Sequence, residues 1–162
     1  MIELTDAQKA DYFRRSYTAV DGLWFMKMEE RYGFDPALDV DEEVWRVMPK
    51  IQARKLKSLT GLESGMEALC ECFTTKLTVE GFDFQASRDA GGGMTISMAR
   101  CPWYDLLAES NRRHLAGRVG HRICDTEYRV WATEFGPGIV VEFGERICDG
   151  CSRCVVRFKP CS

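Results

Sequence analysis

The sequence predicts an α+β fold, in which a helical N-terminal layer is followed by ββααββ, with the helices packed on an antiparallel sheet. Apolar residues recur with the period of a helix up to about residue 80 and alternate with the period of a strand after it. No repeat, low-complexity tract or linker interrupts the 162 residues. We therefore expect a single domain over 1–162, with a helical part at 1–80 and an α+β part at 81–162.

The first helix is expected to begin after Thr5, because Thr5 and Gln8 have the spacing of a capping box. Gly33 stands where this helix would end, since glycine often follows the last turn of a helix. The apolar row of the helix consists of Phe13, Tyr17, Val20, Trp24 and Met28.

Two further helices complete the N-terminal layer. The second is expected from Asp41 to Leu59, with a kink or break at Pro49, because proline has no N–H to donate within a helix. The third is expected from Leu62 to Val79, and Gly81 follows its last turn.

The second half changes to the pattern of strands and glycine-rich turns. Pro102 suits the first turn of a helix, and the GPG sequence at 136–138 breaks another helix. The expected order is a hairpin at 82–98 that turns at 89–93, helices at 102–117 and 122–135, and strands at 139–148 and 154–159.

Composition excludes several classes of function. The net charge of −3, without a basic block, does not favour binding to DNA or RNA. No run of 18 apolar residues could span a membrane, and the polar, acidic start MIELTDAQKADYF is unlike a secretory signal. We therefore expect a cytoplasmic protein, whose eight cysteines are kept reduced.

The C-terminal segment ERICDGCSRCVVRFKPCS holds Cys148, Cys151 and Cys154 at intervals of three residues. An iron–sulfur loop requires a fourth cysteine where Phe158 stands, and the segment alternates like a strand. A thioredoxin-like redox motif requires a helix after the first cysteine, where Asp149-Gly150 instead predicts a turn. Both classes of site are therefore less favoured than zinc.

A zinc site fits a hairpin that presents two or three thiolates to ligands from elsewhere in the chain. Cys124 lies on the apolar face of its helix and is the favoured distant ligand, Glu145 offers an oxygen, and Cys101 is another candidate. The predicted metal is zinc rather than iron, unless the cysteines are simply buried apolar residues. The candidate ligands are Cys124, Glu145, Cys148, Cys151 and Cys154.

Cys101 is also a candidate nucleophile, because it precedes the helix at Pro102 and follows Arg100. Both features favour the thiolate form of a cysteine. A residue that merely caps the helix is the alternative. The candidate bases are His114 and His121, and the acids that would orient them are Asp125 and Glu127.

The aromatic residues suggest a small-molecule pocket between the N-terminal helices and the sheet. The alternative is that these side chains form the core or a homodimer face. The candidate pocket residues are Trp24, Phe25, Met28, Trp103 and Trp131.

The segments SYTAVDGLWFMKMEERYGF and VWRVMPKIQARKLKSL resemble a family of uncharacterised bacterial and archaeal cytosolic proteins over essentially the whole chain. The second half is also similar to L-2-amino-thiazoline-4-carboxylate hydrolases, in the pattern of Cys101, Cys124, Arg146, Gly150 and Cys154. Val155-Val156 departs from that family's motif. This resemblance implies hydrolysis of a small ring that contains a C–N bond.

Residues 80–160 also resemble the 4-vinyl reductase-type domain, a small-molecule-binding module, through the spacing of Glu145 and Cys148. That resemblance implies zinc ligation by Cys124, Glu145, Cys148 and either Cys151 or Cys154.

Two functional hypotheses follow. The first is a cytoplasmic small-molecule-binding protein with a zinc site in its C-terminal hairpin. The alternative is a hydrolase of a small C–N ring or amide, which uses Cys101 or a metal-bound water with His114 or Glu127 as base.

Overall fold

A computed structural model describes residues 2–161, and the predicted α+β class is confirmed. The chain divides into two compact units, the first ending at Glu43 and the second beginning at Val44. Within residues 2–161, no helix combines the length and apolarity needed to cross a membrane. The elements are α1 Asp6–Tyr32, α2 Phe34–Trp45, α3 Met48–Thr60, α4 Gly65–Glu80, β1 Asp83–Arg88, β2 Met94–Arg100, α5 Pro102–Glu109, α6 Ala116–Phe135, β3 Ile139–Phe143 and β4 Cys154–Pro160, with 3-10 turns at Arg113–Leu115 and Ile147–Asp149.

The predicted capping box begins α1. The Gln8 N–H donates to Thr5 Oγ1 at 3.2 Å, and the Thr5 N–H donates to Gln8 Oε1 at 2.9 Å. Gly33 ends the helix with φ of 90°. Of the residues described in α1, none is buried, and Trp24 is 63% exposed. The local signals therefore placed this helix correctly at both ends.

Several helix boundaries differ from expectation, among them the start of α6, which begins at Ala116 rather than at residue 122. The helix start predicted at Asp41 is wrong, because α2 begins at Phe34. The helix is broken before α3, and Pro49 lies in the first turn of α3. Proline is well tolerated there, since the first N–H groups of a helix have no partner within it. The helix expected over 102–117 ends at Glu109, and Asn111 then takes a positive φ of 59°.

The four strands form one antiparallel sheet in the order β1-β2-β4-β3. Met94, Ile96 and Met98 alternate along β2 and are at most 2% exposed. They pair with Phe158, Val156 and Cys154 of β4, respectively. Cys154 therefore sits at the end of the sheet's buried face, opposite Met98.

The centre of the second unit is an aromatic cluster around Phe73 of α4. The Phe73 ring lies 5.2 Å from Tyr128, 5.4 Å from Trp131 and 5.0 Å from Phe158 between centroids. Such edge-on ring pairs stabilise a core beyond their buried area. The predicted apolar face of α6 is thus packed in the core, and Cys124 lies one turn before Tyr128 on that face.

Candidate metal centre

Three cysteine thiols from other parts of the fold lie within electrostatic reach of Cys124 in α6, although no three of the four sulfurs lie within 4.8 Å of one another. Cys101 precedes α5, Cys124 lies in α6, Cys148 lies in the turn Ile147–Asp149, and Cys154 begins β4. Burial raises the pKa of Cys124 well above its usual value, and negative charge on Cys101, Cys154 or Cys148 would raise it further. Cys124 is therefore within electrostatic reach of the other three thiols.

The contact between α6 and Cys148 depends on a glycine. Gly120 lies one helical turn before Cys124, and a Cβ added there would meet Cys148 Sγ at 2.9 Å and Cys148 Cβ at 3.2 Å. A Cβ at Gly117 would meet only the Cys148 carbonyl oxygen and a carboxylate oxygen of Asp149, at 3.6 and 3.8 Å. The missing side chain at position 120 therefore lets the Cys148 thiol lie against α6 beside Cys124.

Contacts on the sheet side place Cys154 near the same point. The Ile147 N–H donates to Cys154 Sγ at 3.2 Å. Across the sheet, Cys154 pairs with Met98, whose sulfur accepts the Tyr128 hydroxyl at 3.8 Å. Tyr128 follows Cys124 by one turn of α6, so these contacts place Cys154 on the face of the sheet that packs against the helix carrying Cys124.

Cys101 lies at the N-terminus of α5, as expected, but its burial disfavours the thiolate form. Burial raises the pKa of Cys101 to about 11, although the backbone amides of Tyr104 and Trp103 lower it in part. The neighbouring Arg100 forms an ion pair with Asp105 at 2.7 Å. The effect of burial on the Cys101 pKa is thus larger than that of the helix N-terminus. The raised pKa disfavours Cys101 as a nucleophile.

Arg146 is a cation next to the thiol group. Burial raises the pKa of Cys148 to about 11, and the Arg146 charge lowers it in part. Burial also raises the pKa of Cys154, and the same Arg146 charge lowers it in part. The Arg146 guanidinium pairs with Asp125 at 2.5 Å and lies 4.2 Å from the Phe143 ring centroid. These contacts hold a positive charge where it would stabilise thiolates.

A buried ion-pair network lies on the inner side of the site, and the sequence analysis missed it. Lys76 Nζ lies 2.6 Å from Glu127 Oε1 and 3.0 Å from Glu80 Oε2, and Gln52 donates to Glu80 at 3.1 Å. Burial alone would lower the pKa of Lys76, but the charges of Glu127 and Glu80 outweigh it and raise that pKa. Lys76 also lowers the pKa of Cys101, so the network is within electrostatic reach of the thiols.

The spacing of Lys76 and Glu80 was a usable signal, because residues four apart face each other on a helix. The contact with Glu127 was not predictable, since it joins α4 to α6.

The solvent side of the site carries His121, Asp149 and Cys148. His121 Nε2 lies 2.8 Å from Asp149 Oδ1, and Cys148 Sγ lies 3.9 Å from the same oxygen. The ligand atoms of all three residues lie within 4.8 Å of one another. His121 was predicted only as a base, and the sequence analysis did not single out Asp149 as a ligand.

Glu145 is placed elsewhere. Its carboxylate accepts two hydrogen bonds from Arg153, at 3.2 and 3.1 Å, and the pair lines a shallow groove with Thr95 and Ser97. Thr95 and Ser97 alternate with the buried residues of β2, so this groove is on the other face of the sheet. The structure therefore does not bring the Glu145 carboxylate to the thiols.

The other predicted site residues are found in several different elements. His114 is exposed in the turn Arg113–Leu115, Cys151 is exposed, and the Glu127 carboxylate is held by Lys76. Among the predicted pocket residues, Trp131 is fully buried between core rings, Trp103 packs edge-on against Trp45 at 5.6 Å, and Trp24, Phe25 and Met28 lie in α1.

The model of a family of unknown function, DUF6125, matches residues 7–143. The matched range includes Cys101 and Cys124 and ends before Cys148 and Cys154. No curated protein and no solved structure matches the chain. Because the family model covers well over half of the sequence, the chain belongs to DUF6125, a family of unknown function.

Proposed function

We propose that this protein is a zinc protein, in which Cys101, Cys124, Cys148 and Cys154 bind one structural zinc ion. The observation that carries the proposal is that Cys124 in α6 lies within electrostatic reach of three free thiols from other elements. No three of these four sulfurs lie within 4.8 Å of one another, so binding one ion would draw them closer together. Zinc favours sulfur ligands, and a set of four thiolates closes a tetrahedral structural site.

The arrangement differs from that of ordinary buried cysteines. Cys70 and Cys72 of α4 belong to the apolar core cluster and are 4% and 0% exposed, with Thr60 Oγ1 lying 3.7 Å from Cys72 Sγ. In the site, by comparison, the Ile147 N–H donates to Cys154 Sγ, and the Arg146 charge lowers the pKa of both Cys148 and Cys154. A cation and an N–H donor support the thiolate form, which is the form that binds metal.

The ion would join the start of α5, the middle of α6, the turn Ile147–Asp149 and β4. Thiolate ligands of this kind suit a reducing compartment, so we retain a cytoplasmic location as part of the proposal. The small-molecule ligand and the homodimer remain predictions. The hydrolase alternative gains no support from Cys101, whose pKa of about 11 reflects its burial.

Metal analysis of the purified full-length protein tests the proposal. We expect about one tightly held zinc per chain after dialysis, and loss of most of it in Cys124→Ala. Cys161→Ala is the matched control and should retain the metal, because Cys161 is exposed and lies outside the group. A folded wild-type protein without zinc would overturn the proposal, and stoichiometric iron with the absorption of a cluster would replace zinc by an iron–sulfur site.

Gly120→Ala is expected to weaken zinc binding by about 10–100-fold, the range for residues that orient metal ligands. The reason is that the new Cβ would lie 2.9 Å from Cys148 Sγ and displace it. Competition with a chromophoric chelator measures the affinity. Gly117→Ala is the matched control, since its Cβ would have no contact closer than 3.6 Å. Equal affinities of the two folded variants would contradict the placement of Cys148 as a ligand.

A further inference from the structure

We propose that His121, Asp149 and Cys148 form a second, outer site for a divalent metal, in which the Cys148 sulfur bridges this ion and the inner zinc. The inference rests on the proposed function for its inner ion. It adds a solvent-facing ion that can take an exogenous ligand.

The geometry of the three side chains suits one ion. Bonds of about 2.0–2.3 Å in a tetrahedral site hold the ligand atoms about 3.3–3.8 Å apart. Asp149 Oδ1 is already 2.8 Å from His121 Nε2 and 3.9 Å from Cys148 Sγ. Only small side-chain movements would therefore be needed to bind an ion, without a change in the backbone.

The elements that carry these side chains are held together by packing. A Cβ added at Gly117 or Gly120 of α6 would lie within 4 Å of Cys148 or Asp149, so the turn Ile147–Asp149 lies against the helix at these two glycines. His121 follows Gly120 directly and reaches the Asp149 carboxylate from the same helix. The site therefore joins a long helix to the short 3-10 turn that lies against it.

An ordinary surface pair of His121 and Asp149 is the alternative explanation. Such a pair contributes little to stability, and it does not explain why a thiol lies next to it. Over residues 2–161, this is the one place where three side chains of histidine, cysteine, aspartate or glutamate bring their ligand atoms so close together. The combination of nitrogen, oxygen and sulfur donors points to zinc or a similar borderline metal.

Electrostatic attraction to the inner thiolates would favour binding of the outer ion. Four thiolates around one Zn²⁺ carry a net charge of −2, because the sulfurs contribute −4 and the ion +2. Cys148 lies at the edge of that group, where its sulfur faces both α6 and Asp149. A second dication that shares this sulfur would neutralise part of the excess charge.

The two ions would differ in access. The inner one would be closed by four protein sulfurs, whereas the outer one would have three protein ligands. The side chains of His121 and Asp149 are 54% and 43% exposed. At least one coordination position of the outer ion would therefore be open to water or to a small molecule that presents a carboxylate, thiolate or carbonyl oxygen.

Equilibrium dialysis of the full-length protein against increasing free zinc tests the outer site. We expect two equivalents in the wild type, the second bound more weakly than the first, and one equivalent in His121→Ala and Asp149→Ala. His114→Ala is the matched control, because His114 is the chain's other histidine, is exposed and lies outside the cluster; it should bind two. With cadmium-113 in place of zinc, the wild type should give two resonances, and the one with fewer sulfur ligands should be missing from His121→Ala.

The outcomes separate the two proposals. One equivalent in the wild type that persists in His121→Ala would overturn the outer site and leave the inner zinc supported. One equivalent that is lost in His121→Ala would make His121 a ligand of a single ion and would overturn the two-ion arrangement. A folded wild type that binds none would overturn both.

Discussion

Replacement of Lys76 by methionine is expected to lower the free energy of unfolding by about 3–5 kcal/mol. Lys76 is 3% exposed, and its ammonium is the partner of the Glu127 and Glu80 carboxylates at 2.6 and 3.0 Å. Without it, two acidic groups would remain in the interior without the charge that compensates them. Urea unfolding, monitored by tryptophan fluorescence, measures the loss.

Two variants show whether burial is the cause. Lys159→Met removes an ion pair of the same 2.6 Å length, to Glu142, but at an exposed site, and should cost less than about 1 kcal/mol. Lys76→Met combined with Glu127→Leu should recover much of the stability, because a buried pair can often be replaced by apolar residues of similar volume. A loss below about 1 kcal/mol in Lys76→Met would show that the network is not stabilising.

Removal of the proposed zinc ion by a chelator is expected to destabilise the second unit by about as much as the loss of Lys76. An ion present at about 1,000 times its dissociation constant adds about 4 kcal/mol to a folded state that binds it. For a protein of this size, that corresponds to a fall in Tm of roughly 8–16 °C. Thermal unfolding with and without the chelator, followed by near-UV circular dichroism, measures the shift.

The Cys124→Ala variant is the control for chelation. Without a complete inner site, its Tm should already be low and should respond little to the chelator. If the chelator shifted the Tm of the wild type and of Cys124→Ala equally, the stabilising metal would be bound somewhere other than at these thiols.

Much of the secondary structure was predictable, because the relevant signals are local. Thr5 and Gln8 form the capping box that begins α1, and Gly81 ends α4 in the left-handed conformation. The alternating residues of β2 and β4 are the buried face of the sheet. The start of α2 was misplaced because Pro36, inside its first turn, reads equally well as part of a loop.

The site was only partly predictable. The spacing of the cysteines at 148 and 154, and the position of Cys124 on an apolar helix face, placed these thiols on elements that must pack together. Cys101 was weighed chiefly as a nucleophile, yet its burial beside the other thiols suits a ligand better. Glu145 has the spacing of a ligand but lies on the opposite face of the sheet, where Arg153 holds it.

Local sequence was sufficient to specify the α+β class, the cap of α1 and the strand that carries Cys154. Each of these features depends on residues that lie within a few positions of one another in the chain. The pairing of Lys76 with Glu127, the seat of Cys148 on Gly120 and the meeting of His121 with Asp149 came only from the three-dimensional arrangement. Each joins residues 28 or more positions apart, a separation at which spacing carries no information about contact.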